Sequence, residues 1–504
     1  MCTLTQLRII WTNACLYYIL GNGYPFPNVP LDSFSVQKLE RHVCHSAKLA
    51  RKWLCGDWTP TRTWSTSATA NMSVTDIRFV PGSHGTLLFT LSKSIWSAIT
   101  LWQLEPVISR TPDEDCAFRK RCEWSPRGAI FNGFALNSNP TSKVKLAVSS
   151  LNNGNHTIEL LSLKAQENMG EWSLLPVQSI PATFKPIALE GDLLAISDDT
   201  RETIILNWNT GAYATLEHVQ SDQGITQQDK CIQIVFTPQG ILVVRAHSIH
   251  LFPFPILKAQ EDQPLRYSPT ARHSFGWVDS ISIQVDYRHI ELSSFQCNSN
   301  KPPPLSILVR AETDDPWASD TLSIELYTLQ PNPNYTSSDP SETVTDGSVV
   351  ATTNGKPMTS SPQESIPYIF PPVRTSKVIS RRGSLRCADV ILGRLGTALW
   401  IQPKDRSAAG LYWTTDDAPL VGPQSVVRSD HKYESLVASV FPGSLFSDDD
   451  NEPDVGVDRD HPLEPESKVI YWNERHSWSC MDYDEDVGRI VLGSGFGSIT
   501  VLDL

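Results

Sequence analysis

The sequence predicts a mostly β protein, a WD-like β-propeller of seven blades that carries a short α-helical N-terminal extension. Three observations lead there. A two-part unit, made of one β-branched and aromatic strand, a turn and a second such strand, recurs seven times. A further strand often precedes the pair and ends in a turn glycine, so the repeat is a three-strand meander, which is propeller sequence. The texture also changes near residue 60, from helical spacing to short strands punctuated by Gly, Pro, Asn and Asp.

Residues 5–22 and 32–54 have the spacing of helices. In the second, Leu39, Val43, Ala47 and Ala50 or Leu54 fall three or four apart among charged residues. Pro25, Pro27 and Pro30 keep the two helices from fusing. This gives a helical segment over 1–55 and a propeller over 60–504. The hairpin units are "TLLFTLSKSIWSAITLWQL" (86–104), "KVKLAVSSLNNGNHTIELLSL" (143–163), "DLLAISDDTRETIILNWNT" (192–210), "ILVVRAHSIHLFPF" (241–254), "LSILVRAETDDPWASDTLSIELYTL" (305–329), "TALWIQPKDRSAAGLYWTT" (397–415) and "RIVLGSGFGSITVLDL" (489–504). The preceding strands read "VTDIRFVPG", "FKPIALEG", "CIQIVFTPQG" and "WSCMDYDEDVG".

Two features of the last unit need separate treatment. Its glycines Gly493, Gly495 and Gly497 are spaced GxGxG and lead into a strand, whereas a dinucleotide loop must open a helix. They read as a hairpin turn. The unit also stops on its third strand, which leaves an edge prone to aggregation. "TRTWSTS" at 61–67 could supply the missing strand and close the ring. The second strands lie about 45 to 90 residues apart, against about 40–45 for a plain WD-type blade. The excess falls in two stretches, a Pro/Ser/Thr-rich one at 331–376 and an acidic one at 445–467, both expected to leave the propeller as disordered insertions.

The composition excludes several classes. Lys+Arg is 42 against Asp+Glu 55, a formal charge of −13, which argues against a surface built to grip nucleic acid or anionic lipid. Ten cysteines without a CxxC pair suit reduced thiols better than a disulfide scaffold. The apolar run near the N-terminus is broken by Asn13 and has no small-residue cleavage site, and no stretch of about 18 apolar residues occurs. A cytoplasmic or nuclear protein is expected, and the sequons at Asn71, Asn155 and Asn334 carry little weight.

Chemistry is sparse. Trp102, Trp208, Trp400, Trp413 and Trp472 lie in or near repeat strands, where rings pack between blades more often than they stack on sugars. His42, Cys44, His45 and Cys55 are possible zinc ligands, but three of them crowd one helical turn and point to different faces. "DYDEDVG" resembles half a calcium loop without its closing glutamate and reads as a turn of solvated carboxylates. No GxSxG, HExxH, Walker or kinase pattern is present. The expectation is a non-enzymatic binding module with no cofactor and no metal.

The two ends carry a resemblance. "LRIIWTNACLYYILGNGYPFPNVPLDSFSVQKLERHVCHSAKLARKWL" resembles the segment that follows the F-box in a large group of fungal F-box proteins. There a Trp-containing helix leads to a Pro-rich strip and then to a helix opening with "LER". "YDEDVGRIVLGSGFGSITVLDL" resembles the closing repeat of the same proteins. The resemblance implies a substrate receptor of a cullin-RING ubiquitin ligase, in which the F-box binds a Skp-type adaptor and the propeller holds the protein to be modified. It also implies a leucine-rich F-box ahead of Leu7, where only Met1–Gln6 stand. Ile9, Trp11, Leu16, Tyr17 and Leu20 then belong either to an adaptor-proximal last helix of the F-box or to a prop for the propeller. The alternative role is a propeller scaffold without a ubiquitin link.

Overall fold

In the computed structural model the described residues are 7–68, 72–107, 118–165, 172–198, 202–217, 229–259, 265–276, 278–285, 302–311, 321–335, 366–404, 433–441, 465–475 and 477–504. They form seven sheets, antiparallel except for one added edge strand, arranged as the seven blades of a propeller. Blade 1 is Ser73–Phe79, Leu87–Lys93, Ser97–Leu104 and Phe118–Trp124. Blade 2 is Ile130–Leu136, Leu146–Asn152, Asn155–Ala165 and Trp172–Pro181. Blade 3 is Lys185–Glu190, Leu193–Ser197, Thr203–Asn207 and Tyr213–Leu216. Its outer edge is covered by a fifth, parallel strand, Leu265–Tyr267.

Blade 4 is Cys231–Thr237, Gly240–Arg245, Ser248–Phe252 and Ala271–Ser274. Blade 5 is Val278–Val285, Leu305–Ala311, Thr321–Leu329 and Val373–Arg381. Blade 6 is Val390–Leu392, Thr397–Gln402, Glu434–Val440 and Ser467–Asn473. Blade 7 takes three strands from the end of the chain, Trp478–Asp484, Arg489–Ser494 and Ser498–Asp503. Its fourth is Arg62–Ser67, paired antiparallel with Ser498–Asp503 from Arg62↔Asp503 to Ser67↔Ser498. The ring is closed by the strand that the sequence reading had proposed.

Burial explains which strands the sequence makes plain. Second strands such as Gly240–Arg245 and Arg489–Ser494 are buried at every position, covered on both faces by neighbouring blades, and so read as continuous apolar runs. A hydrophobic cluster lies between each successive pair of blades, seven in all, rather than in one central core.

Four expectations need correction. Each blade has four strands or more, not three, because outer strands such as Phe118–Trp124 are half-exposed and lack apolar alternation. In blade 6 the partner of Thr397–Gln402 is Glu434–Val440, and the proposed "AAGLYWTT" strand lies outside the described residues. Not all of 331–376 leaves the propeller: Tyr368 is buried in the cluster between blades 4 and 5, and Val373–Arg381 is an outer strand. Likewise, Ser467 opens the outer strand of blade 6. The remaining parts of these two insertions, 336–365 and 442–464, lie outside the described residues.

Antiparallel order puts the turns between first and second strands on one face of the ring, here the lower face. The turns between second and third strands, and the links from blade to blade, lie on the upper face. The helical extension sits against the lower face.

Candidate functional site

The extension is built from two helical pieces. Helix α1 (Arg8–Ala14) continues into a single π-helical stretch, Cys15–Leu20. Helix α2 (Val36–Cys55) starts at Ser35, whose hydroxyl accepts from the Lys38 N–H at 3.3 Å, and ends on Gly56 in the left-handed region at φ 66°. A side-chain cap and a glycine stop satisfy the orphan groups at both ends. The buried stripe of α2 is Leu39, Val43, Ser46, Leu49, Ala50 and Trp53. Ala47 and Leu54, expected on that stripe, are exposed, so the packed face is rotated toward Leu49 and Trp53.

The two halves of α2 have different partners. Leu39 and Val43 join Cys15, Ile19, Phe26 and Phe34 in a small core of the extension itself. Arg8 locks that core by donating to the Phe34 and Leu31 carbonyls at 2.7 and 2.6 Å. Leu49, Trp53 and the following Trp58 instead enter the cluster between blades 6 and 7. Polar contacts repeat the attachment. His45 Nε2 lies 3.0 Å from the Val487 carbonyl, and Arg394 donates to the Phe26 carbonyl at 2.7 Å while pairing with Asp486. Gly488, at φ 67°, lets the Leu49 side chain come so close that a Cβ there would meet it at 2.6 Å. The helices and the ring are therefore one packed unit at this seam.

The face of α1 and the π-helical stretch that looks away from the propeller is apolar and uncovered. Ile9, Tyr17 and Tyr18 are 63%, 72% and 69% exposed, and Leu7, Ile10, Leu16 and Leu20 are exposed around them. Of the five residues picked out from the sequence, Ile9, Leu16, Tyr17 and Leu20 lie on this outward face. Trp11 turns inward against the small core. Tyr18 and Ile10, which the sequence reading passed over, belong to the same surface. The run of apolar residues on all sides of "LRIIWTNACLYYIL" was the signal, since a helix packed on one side only would alternate.

The acidic turn beneath the extension is not a set of solvated carboxylates. Asp482 accepts the Phe79 N–H at 2.6 Å across the seam between blades 7 and 1. Burial pushes its carboxyl up to about 6, against the pull of Arg78. Glu485 accepts the Leu395 N–H at 3.1 Å and the Thr397 hydroxyl, holding the adjacent turn of blade 6. Burial pushes it up to about 7. A carboxyl raised in the folded state binds more protons there than in the unfolded chain between its ordinary value and the raised one. Its contribution to stability is thus lost as pH rises from about 4.3 to 7. E485Q is neutral throughout, so its melting temperature should gain on the wild-type value between pH 5 and pH 8. Parallel melting-temperature profiles for the two proteins would refute that assignment.

The other candidates disperse. His42 packs against the rings of Phe26 and Phe34, and burial, with Lys38 nearby, lowers it to about 4. Cys44 and Cys55 are exposed, and His45 faces the propeller. Trp102, Trp208 and Trp400 are buried between blades, Trp102 and Trp208 with their indole N–H bonded to Thr90 and to the Gly191 carbonyl. Trp472 is exposed, and Trp413 lies outside the described residues. Gly497 ends a hairpin turn. Among the described residues no helix is long and apolar enough to cross a membrane.

The chain matches no protein-family model, and no curated protein is significantly similar to it. What the structure does show is a seven-bladed propeller, an architecture that commonly serves as a non-enzymatic scaffold for protein contacts.

Proposed function

We propose that this chain is a substrate receptor for a cullin-RING ubiquitin ligase. The outward face of α1 and the π-helical stretch meets a Skp-type adaptor, and the propeller holds the protein to be modified. One observation carries the reading: an apolar helical surface is left uncovered on an extension whose inner side packs on α2, and α2 with Trp58 is fixed to the ring through Leu49 and Trp53. Large uncovered apolar patches mark interaction sites. A rigid link between that patch and the propeller suits a receptor, because its work is to raise the concentration of a bound target beside the transfer machinery. The resemblance of the two chain ends to fungal F-box proteins points the same way. No group-transfer chemistry is asked of the chain itself.

The test is co-expression with a Skp adaptor. A tagged chain should retain the adaptor through size-exclusion chromatography at micromolar concentration. The double substitution I9D/Y17D should abolish that retention without lowering the melting temperature, since both side chains are exposed. Failure of the wild-type chain to retain the adaptor removes the ligase role and leaves a scaffold whose apolar helical face serves another partner.

A further inference from the structure

The upper face carries a second exposed surface, on the opposite side of the ring from the helices. In blade 1 the tip of the turn between the second and third strands is Ile95 and Trp96, 83% and 46% exposed. In blade 7 the same turn carries Phe496 at 66%. Ile130, at the start of blade 2, is exposed as well. Bulky apolar side chains at tight hairpin tips are unusual, because turns favour Gly, Asn, Asp and Ser. Nothing in the local backbone calls for them.

These tips form one continuous rim. Ser97 donates to the Ala129 carbonyl at 2.8 Å and its hydroxyl accepts the Phe131 N–H at 3.0 Å, tying the Ile95–Trp96 turn to the link that holds Arg127 and Ile130. Ser73 opposes Lys93 at the base of the same turn, and a Cβ at Gly495 would lie 3.8 Å from the Ser73 hydroxyl. Gly495 in turn donates to the Ser477 carbonyl at 2.7 Å, next to Arg475. The rim thus runs from the end of blade 6 through blades 7 and 1 to the start of blade 2.

Three arginines punctuate it. Arg386 lies over the Phe496 ring at 5.9 Å, and Arg127 and Arg475 flank the two ends. All three are exposed, and among the described residues none has an ion-pair partner. The neighbouring acids are largely engaged: Glu434 is buried and accepts from Asn473 and the Trp478 N–H, and Glu123 pairs with Lys120. Glu474 stands exposed beside Arg475. In a chain of net charge −13, three exposed arginines interspersed with aromatic and aliphatic tips concentrate positive charge on one rim, with the buried Glu434 carboxyl within reach of the Arg386 charge. Arginine and aromatic side chains are also the residue types that dominate binding energy at interfaces.

We infer that the rim of blades 6, 7, 1 and 2 on the upper face is a docking site for an extended acidic peptide segment. Aspartate or glutamate side chains of the peptide pair with Arg386, Arg127 and Arg475, and bulky apolar side chains rest on Trp96, Ile95 and Phe496. This names a partner class for the scaffold and rests on that reading, but it is independent of the adaptor. The peptide site and the α1 surface lie on opposite faces, so one partner does not obstruct the other.

The test is selection from a displayed library of random dodecapeptides on the immobilised full chain, followed by affinity measurement of the enriched peptides. Enriched sequences should be net negative and contain at least one Trp, Phe, Leu or Ile. Their affinity should fall at least tenfold in R386E and in F496S, with melting temperatures unchanged, and W96S should repeat the loss. Enrichment of basic or purely polar peptides, no enrichment above the bare support, or affinity indifferent to R386E would overturn the assignment. So would displacement of the peptides by polyuridylate, which would make the rim a nucleic-acid surface. The selection contains no adaptor, so its outcome is separable from that of the co-expression test.

Discussion

R489A is expected to cost about 3–5 kcal/mol of folding stability, the loss typical of removing one partner from a buried ion pair. Arg489 and Asp503 are almost inaccessible, at 0% and 1% exposure. The guanidinium engages four of its five N–H donors. Nε and Nη2 reach the two Asp503 oxygens at 2.6 and 3.0 Å, and Nη1 donates to the carbonyls of Gly85 and Glu105 at 2.8 Å each. Its plane lies over the ring of Trp64, 5.4 Å from the centroid. One side chain therefore joins the second and third strands of blade 7, the closing strand and two lower-face connections of blade 1. Alanine would leave Asp503 charged and unpaired in a dry site, with two carbonyls short of a donor. R489M/D503L should recover much of the loss, because a well-packed apolar pair can replace a buried ion pair at little cost. Urea unfolding measures both. A midpoint for R489A within error of wild type would show that water reaches the pair.

Deleting residues 1–68 should have a still larger effect. It strips the closing strand from blade 7, leaves Ser498–Asp503 as an open edge, and uncovers the cluster that Leu49, Trp53 and Trp58 help to fill. Burial of a tryptophan of this kind is worth about 3–5 kcal/mol, comparable with half of the roughly 5–15 kcal/mol that holds a typical domain together. The helices and the strand can be separated by comparison with a deletion of 1–58, which keeps Arg62–Ser67. The shorter deletion should yield a destabilised monomer. The longer should melt lower still and associate through its bare edge, as seen by sedimentation. Identical melting temperatures and monomeric behaviour for both would mean that the fourth strand of blade 7 is dispensable.

The legible parts of this fold were those where burial is symmetric. Strands such as Leu87–Lys93 and Arg489–Ser494 lie between two blades, so their apolar runs survive without knowledge of the partner. Outer strands have one wet face and often follow long connections, so "FRKRCEW" carries little pattern of its own. The third strand of blade 6 was missed for another reason. Thr397 pairs with Val440, whereas a nearer stretch with similar aromatic content offered a plausible wrong partner. At the site, the apolar surface of α1 could be read because the run from Leu7 to Leu20 holds only Arg8, Thr12 and Asn13 as polar residues around Ile9, Leu16 and Tyr17. The roles of Glu485 and Asp482 could not, since a carboxylate that accepts a backbone N–H from another blade looks the same in sequence as one in water. The arginines of the upper rim were invisible for the same reason: their grouping exists only after the ring has closed.

That closure has a consequence for the order of events during synthesis. Ser65 and Thr500, which meet across the last seam, are 435 residues apart in the chain. At ribosomal rates of about 5–20 residues per second, the N-terminal strand waits roughly 20–90 s before its partner exists. The anchor for Leu49 and Trp53 is built from residues of blades 6 and 7, so it is equally late. A nascent or truncated chain therefore holds its helices loose, and the fixed spacing between helical surface and ring appears with the final strand. Only a chain translated through Asp503 can fasten both the closing strand and the helices to the ring.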